Sequence, residues 1–152
     1  MKIEEEVKST INMDISKKVM LNINFTRNTI TDKFNEILRP YSISGEQYNV
    51  LRILRGQKAK IVNMAAIQNR MLTKNSNTTR LIDKLLVKNM VSRGICPDNR
   101  RKMEIQITDT GLKALEELDL KVIEHDQYFT QNLNNEELTT LNDLLEKLRI
   151  IK

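Results

Sequence analysis

The chain has 152 residues, a formal net charge of +5, few aromatic residues and no tryptophan, so Leu, Ile, Val and Met must build the core of one domain. A single cysteine excludes an intramolecular disulfide framework. An acidic N-terminal stretch and the lack of any apolar run of about 18–20 residues predict a cytoplasmic protein that neither carries a signal peptide nor spans a membrane.

The first two helices are predicted from apolar periodicity and capping residues. The first runs from Asp14 to Arg39 and ends at Pro40, which cannot continue a helix. Its apolar stripe recurs mostly every three, four or seven residues: Ile15, Val19, Ile23, Ile30, Phe34 and Ile37. The second helix follows Ser44, with Gln47 at the spacing of a capping box.

A short third helix is predicted over 62–69, and a fourth from Thr73 or Lys74 to about Asn89. We expect Leu81, Ile82 and Leu85 of the fourth helix to face inward. Its opposite face is polar.

After the fourth helix the apolar period changes from 3.6 to 2, which indicates two β-strands. The alternating residues are Val91, Arg93 and Ile95, then Met103, Ile105 and Ile107. A polar, basic loop between them predicts a hairpin. Thr108 or Asp109 should cap a fifth helix, and Asn134 with Glu137 repeats the capping box at the start of a leucine-rich sixth helix.

Positive charge is concentrated in the fourth helix and the hairpin. Residues 70–102 carry nine basic and two acidic side chains, whereas residues 103–152 carry five basic and eleven acidic ones. Such a concentration predicts a surface for a polyanion. With this order of elements it predicts a winged helix-turn-helix, in which one helix enters the DNA major groove and basic hairpin residues reach the adjacent minor groove. The predicted DNA-binding residues are Lys74, Asn75, Ser76, Asn77, Thr79, Arg80, Lys84, Arg100, Arg101 and Lys102.

The segments SNTTRLIDKLLVKNMVSR and NRRKMEIQITDTGLKAL, with weaker support from ISGEQYNVLRIL, resemble the MarR-type (multiple-antibiotic-resistance regulator) bacterial transcription factors. The resemblance implies a fold that is mainly α with a small β-hairpin, forming a single domain over 1–152. Within it, a winged-helix lobe would occupy 42–108 and dimerisation helices 14–39 and 109–150. Uncovered apolar stripes at both chain ends also favour a homodimer.

The resemblance also assigns roles to individual residues. The helix from about Thr73 to Asn89 would be the recognition helix, and Arg101 would be the wing arginine of an Asp-x-Arg signature. Asn99 stands at the aspartate position of that signature, unless Asp98 substitutes for it.

The predicted function is sequence-specific binding of double-stranded DNA by a homodimer, as a repressor on an inverted repeat. Family members often bind small aromatic or phenolic anions, so the resemblance implies an effector in a crevice that Arg27 or Arg52 would face. The alternative role for each of these arginines is that of a solvated surface residue. The alternative is a dimeric winged-helix architectural or protein-interaction module without operator specificity. Salt dependence and competition with bulk DNA separate the two functions.

Enzymatic, cofactor and metal functions find no support in the sequence. No glycine-rich phosphate-binding motif and no nucleophile–base arrangement is present, so an enzyme or a cofactor site is not predicted. One histidine and one cysteine far apart do not make a zinc site. His125, beside Glu124 and Asp126, is predicted to be a solvated surface residue, and Cys96 a passive hairpin side chain rather than a redox sensor.

Overall fold

The structure, a computed structural model, describes residues 2–10, 12–57, 61–74, 76–96 and 99–150, with backbone alone between 95 and 102. Its elements in chain order are α1 (Ile3–Glu6), α2 (Ile15–Leu38), a 3₁₀ turn (Arg39–Tyr41), α3 (Gly45–Gly56), β1 (Val62–Asn63), α4 (Met64–Arg70), α5 (Thr78–Val87), β2 (Val91–Cys96), β3 (Asn99–Ile107), α6 (Asp109–Thr130) and α7 (Asn135–Leu148). The predicted fold class, mainly α with a small β-hairpin, is confirmed. No helix among the described residues is long and apolar enough to cross a membrane.

The predicted helix caps are present. Gln47 N–H donates to Ser44 Oγ (3.2 Å), and Ser44 N–H donates to Gln47 Oε1 (2.9 Å), which completes the capping box of α3. The same reciprocal pair joins Asn134 and Glu137 at the start of α7. Thr108 is the N-cap of α6, and its Oγ1 accepts from the N–H of Gly111. Local sequence therefore sets these three starts.

The sheet contains one strand more than the predicted hairpin. β2 and β3 pair antiparallel, with Val91 opposite Ile107, and β1 adds to the free edge of β3, with Val62 opposite Ile105. The third helix was therefore predicted to begin too early: Asn63 ends β1 and is the N-cap of α4, with Oδ1 accepting from Ala66 N–H at 2.8 Å. A two-residue strand is too short to show an alternating pattern.

The core lies between α3, α4, α5, the sheet and the first half of α6. Its fully buried side chains include Leu51, Leu54, Ile67, Ile82, Leu85, Ile105, Leu115 and Leu118. Leu81 is buried with Ile82 and Leu85, so the predicted inner face of the fourth helix is confirmed. By contrast α7 buries none of its residues.

His125 is buried, and the prediction of a solvated surface histidine was wrong. Its ring packs between Phe34 and Phe129, with centroid distances of 5.3 and 5.0 Å. Nε2 donates to the carbonyl of Ile30 on α2 (3.2 Å), and Nδ1 lies 3.0 Å from a carboxylate oxygen of Asp126. The acidic sequence neighbours misled the prediction, because a helix directs successive residues to different sides. His125 thus joins α6 to α2.

Candidate nucleic-acid interface

Helix α5 carries the predicted interface, but it is shorter than predicted. It begins at Thr78 rather than at Thr73 or Lys74, and it ends at Val87. Asn77 is its N-cap, with Oδ1 accepting from the N–H of Arg80 at 3.1 Å. A run of short amide and hydroxyl side chains competes for backbone hydrogen bonds, which favours a turn and a cap over a further helical turn.

The turn before α5 is held by side chains of α4. Gln68 Nε2 donates to the carbonyl of Lys74 (2.7 Å), and the hydroxyl of Thr78 donates to Gln68 Oε1. Lys74 Nζ donates to the carbonyl of Asn69 (2.8 Å), so its cation lies against the end of α4. The Oγ of Ser76 is buried without a hydrogen-bond partner among the described residues. Asn75 lies outside the described residues.

The outer face of α5 brings together three of the predicted residues: Thr79, Arg80 and Lys84 are all exposed on it. Asp83 shares this face, but Arg93 of β2 donates to its carboxylate at 2.9 Å and offsets its charge. Val87, with 85% of its surface exposed, also lies on this face and was missed by the sequence argument. The face is therefore polar, basic and open, with one apolar side chain.

The exit from α5 sets the direction of the hairpin. Asn89 adopts a left-handed backbone conformation (φ 55°), which asparagine tolerates better than most residues. Met90 N–H then donates to the carbonyl of Leu85 (3.0 Å), and Asn89 N–H to that of Leu86 (2.9 Å). These two bonds form a Schellman motif, and β2 begins directly after it at Val91.

The base of the hairpin is fastened to α6. Thr108 Oγ1 donates to the carbonyl of Asn89 at 2.6 Å, and Thr108 N–H donates to that of Met90 at 3.1 Å. Gly111 in the first turn of α6 fits closely, because an added Cβ would lie 2.3 Å from the Met90 carbonyl oxygen. The hairpin and α5 are thus held in one orientation relative to α6.

The predicted wing residues lie on β3. The backbone of Arg100, Arg101 and Lys102 belongs to this strand, and Asn99 pairs with Cys96 across the hairpin. The side chains of these residues, and Asp98 at the tip, lie outside the described part of the chain. The hairpin is present as predicted, but its second strand begins earlier, at Asn99, so Arg100, Arg101 and Lys102 belong to β3 and not to the predicted loop. The contacts of their side chains stay a prediction.

A bidentate salt bridge joins the end of α3 to α6. Arg55 at the end of α3 donates from both terminal nitrogens to Asp119, each at 2.8 Å. These hydrogen bonds lower the pKa of the Asp119 carboxyl and raise that of the Arg55 guanidinium. Because the pair is bidentate, it fixes both the distance and the angle between the two helices.

A cavity of about 450 Å³ separates α2 from the lobe. It is lined by Arg27, Thr31, Phe34, Asn35, Ser44, Gly45, Glu46, Asn49, Met71, Leu72 and Thr73. Arg27, one of the two arginines expected at such a crevice, lies on its wall. The other arginine, Arg52, does not line the cavity, and its guanidinium lies 5.9 Å from the ring centre of Tyr48. The cavity reaches the turn that leads into α5.

Comparison with known proteins points to one family. Residues 43–103 match the MarR family. The multiple antibiotic resistance protein MarR of Escherichia coli (strain K12) is 30% identical over 116 residues, which span 75% of this chain and 78% of that protein. A second relative, the HTH-type transcriptional regulator PecS of Dickeya dadantii (strain 3937), is 24% identical over 115 residues, which span 75% of this chain and 69% of that protein. Its name is that of a transcription regulator, in agreement with the prediction that the chain is not an enzyme.

Two solved structures share the fold closely. A MarR transcription factor from Planctomyces limnophilus superposes with a TM-score of 0.70 at 30% identity, over 90% of this chain and 98% of that one. A mutant MarR from E. coli complexed with operator DNA gives a TM-score of 0.76 at 25% identity, over 91% of this chain and all (100%) of that chain. Both agree with the winged-helix arrangement of α3 to β3.

Proposed function

The chain belongs to the MarR family, and from this premise we propose that it represses transcription by binding an inverted repeat in double-stranded DNA as a homodimer. The observation that carries the proposal is the outer face of α5. This helix buries one side in the core and presents Thr79, Arg80 and Lys84 to solvent, directly before a basic hairpin. An α-helix with short polar and basic side chains fits the major groove.

Base reading is assigned to Thr79 rather than to Asn77. Asn77 Oδ1 already caps α5 through the N–H of Arg80, whereas the Thr79 side chain is exposed. Val87 offers an exposed apolar surface on the same face, and the 5-methyl group of thymine is its natural partner in the groove. Arg80 and Lys84 lie on one flank, where a phosphate strand would run. Arg100, Arg101 and Lys102 would contact the minor groove or its phosphates from the wing.

Dimerisation would be made by the helices at the two ends of the chain. The apolar residues of α7 are uncovered, among them Leu141, Leu144, Leu145 and Leu148, and at the start of α2 Ile15, Val19 and Met20 are exposed. An apolar surface of this kind is unfavourable in water and is typical of a protein interface. A two-fold dimer would place its two copies of α5 about 34–36 Å apart, in successive major grooves.

Ligand control would act through the 450 Å³ cavity between α2 and the lobe. Arg27 supplies a cation and Phe34 an aromatic wall, which together suit a small aromatic or phenolic anion. Met71 and Thr73 line the same cavity and belong to the turn before α5. A ligand that binds more tightly when this turn is shifted would weaken DNA binding.

The test of the proposed function is selection of bound duplexes from a random pool by the full chain. Enrichment of one palindrome is expected, with half-sites about 10 base pairs apart. Recovery of unrelated duplexes with equal affinity would instead favour a winged-helix architectural module. Placing the selected operator across a promoter then distinguishes repression from activation.

A further inference from the structure

A second feature of α5 is a basic ridge on the flank that faces the start of α3. Arg80, Lys84 and Lys88 follow at intervals of four residues, so they lie along one side of the helix. No carboxylate among the described residues forms an ion pair with any of the three. The ridge is thus a row of uncompensated positive charge.

Two adjoining hollows, of about 320 and 360 Å³, separate this ridge from α3. Both are lined by Gln47 and Lys84, and we call them together the Gln47 cleft. Asn77 and Arg80, at the beginning of α5, line the first hollow, and Lys88 lines the second. The cleft therefore follows α5 along its length, beside its outer face.

Gln47 is a buried polar side chain with an unused donor. Only 4% of its surface is exposed, and its Oε1 accepts from Ser44 N–H in the capping box. Because the atom that accepts from Ser44 N–H must be the amide oxygen, the NH₂ group of the amide points away from that N–H. Nε2 has no hydrogen-bond partner among the described residues. Since buried donors are almost always satisfied, and since Gln47 lines both hollows, an acceptor in the cleft, either a water molecule or a ligand oxygen, would complete this site.

The start of α3 adds further attraction for an anion. Within the described part of the chain, the backbone N–H groups of Gly45 and Glu46 have no acceptor, as expected in the first turn of a helix. The positive end of the helix dipole lies at the same place. The Glu46 carboxylate also lines the cleft, and one acid against the three bases of the ridge leaves a net positive charge. The remaining positive charge attracts an anion.

We propose that the Gln47 cleft holds one phosphodiester of the bound duplex, with Gln47 Nε2 and Lys84 Nζ donating to its free oxygens. The proposal rests on the proposed function, which places α5 in the major groove beside that phosphate. It adds Gln47, a neutral core residue of the neighbouring helix, to the DNA-contacting set. Contacts to phosphate carry no sequence information but fix the position of the protein on the duplex.

The test compares Gln47 variants of the full chain for binding to the selected operator across a salt series. Gln47→Glu keeps an acceptor for the capping box, because glutamate serves there as well as glutamine, but it replaces the donor with a carboxylate. We expect a loss of about tenfold in affinity per subunit, or roughly 100-fold per dimer, together with a lower thermal stability, because the new carboxylate is buried. Gln127→Glu adds the same charge on the exposed surface of α6 and is the control, with near-normal binding expected.

A neutral variant covers the case in which Gln47→Glu does not fold. Gln47→Met keeps the size and the neutral charge and removes the donor, together with the Oε1 acceptor of the capping box. It should weaken DNA binding while the salt slope stays the same, and thermal unfolding measures the separate effect of the lost cap. Lys84→Gln should instead lower the slope by about two units per dimer, because one phosphate contact is lost in each subunit.

A neutral methylphosphonate at each backbone position of the operator then identifies the phosphate. At one position per half-site, the substitution should weaken wild-type binding strongly and Gln47→Met binding much less. Normal binding by Gln47→Met, or equal losses at every position for both proteins, would overturn the cleft assignment. Failure of the wild-type chain to select any duplex would instead reject the proposed function. Because the selection precedes the variants, the two failures are distinguishable.

Discussion

Replacing Leu141 and Leu145 with aspartate should separate the proposed dimer into monomers without unfolding the lobe. These side chains lie on one side of α7, and they expose 44% and 37% of their surface in the single chain. Full burial of a leucine contributes about 1.5–3 kcal/mol, so covering what is still exposed contributes roughly 1 kcal/mol for each.

Over two leucines in each of two subunits the loss is roughly 4 kcal/mol, which corresponds to about a 10³-fold weaker dimer. The buried carboxylates would add a further cost. Because α7 buries none of its residues within the chain, the core around α3 and α5 should keep its stability.

Sedimentation velocity measures the outcome, and circular dichroism reports whether the lobe remains folded. Thr139→Asp with Asn142→Asp is the matched control, because it adds the same charge to the polar face of α7 and should leave the dimer intact. A folded dimer of unchanged affinity from the leucine variant would refute the assignment of α7 to the interface.

Three further predictions concern single residues. Asp119→Asn should lower the unfolding free energy by up to about 1 kcal/mol near neutral pH, since the bridge to Arg55 is partly exposed. Folding lowers the pKa of Asp119, so this stabilisation is fully present at pH values above the pKa that the carboxyl has in the unfolded chain, and it is lost on acidification. The unfolding free energies of the variant and the wild-type chain, measured by denaturant titration, should therefore converge at low pH. Gly111→Ala should destabilise the chain by about 1–3 kcal/mol or more in thermal unfolding, since its Cβ would meet the rigid backbone of Met90; an unchanged melting temperature would show that this contact relaxes freely. Arg101→Ala should weaken binding to all duplexes by similar factors and lower the salt slope by about two units per dimer, and an unchanged slope would remove the wing from the interface.

Features encoded by neighbouring residues were predictable from the sequence. The Ser44–Gln47 and Asn134–Glu137 boxes and the inner face of α5 depend on spacings of three or four residues, which a helix converts directly into contacts. The hairpin likewise follows from a change of period at Met90.

Features decided by distant contacts were not predictable. β1 forms only because β3 offers a free edge to Val62, and His125 is buried because α2 supplies Phe34 and the Ile30 carbonyl. The start of α5 was misplaced because helix propensity alone does not reveal that Gln68 ties down the preceding turn.

The residues of the candidate site could be placed only in part. Thr79, Arg80 and Lys84, which the sequence assigned to the polar surface of the fourth helix, are exposed on α5, and their contact with DNA stays a prediction. By contrast, the unused donor of Gln47 could not be seen, because the sequence presents that residue only as half of a capping box.

Competitive titration at physiological salt measures directly whether α5 and the hairpin read a specific DNA site. The full chain would be bound to the selected palindrome and displaced by the same duplex or by a scrambled one of equal length. We expect at least about a 10³-fold preference for the palindrome. Equal displacement by both duplexes would contradict it.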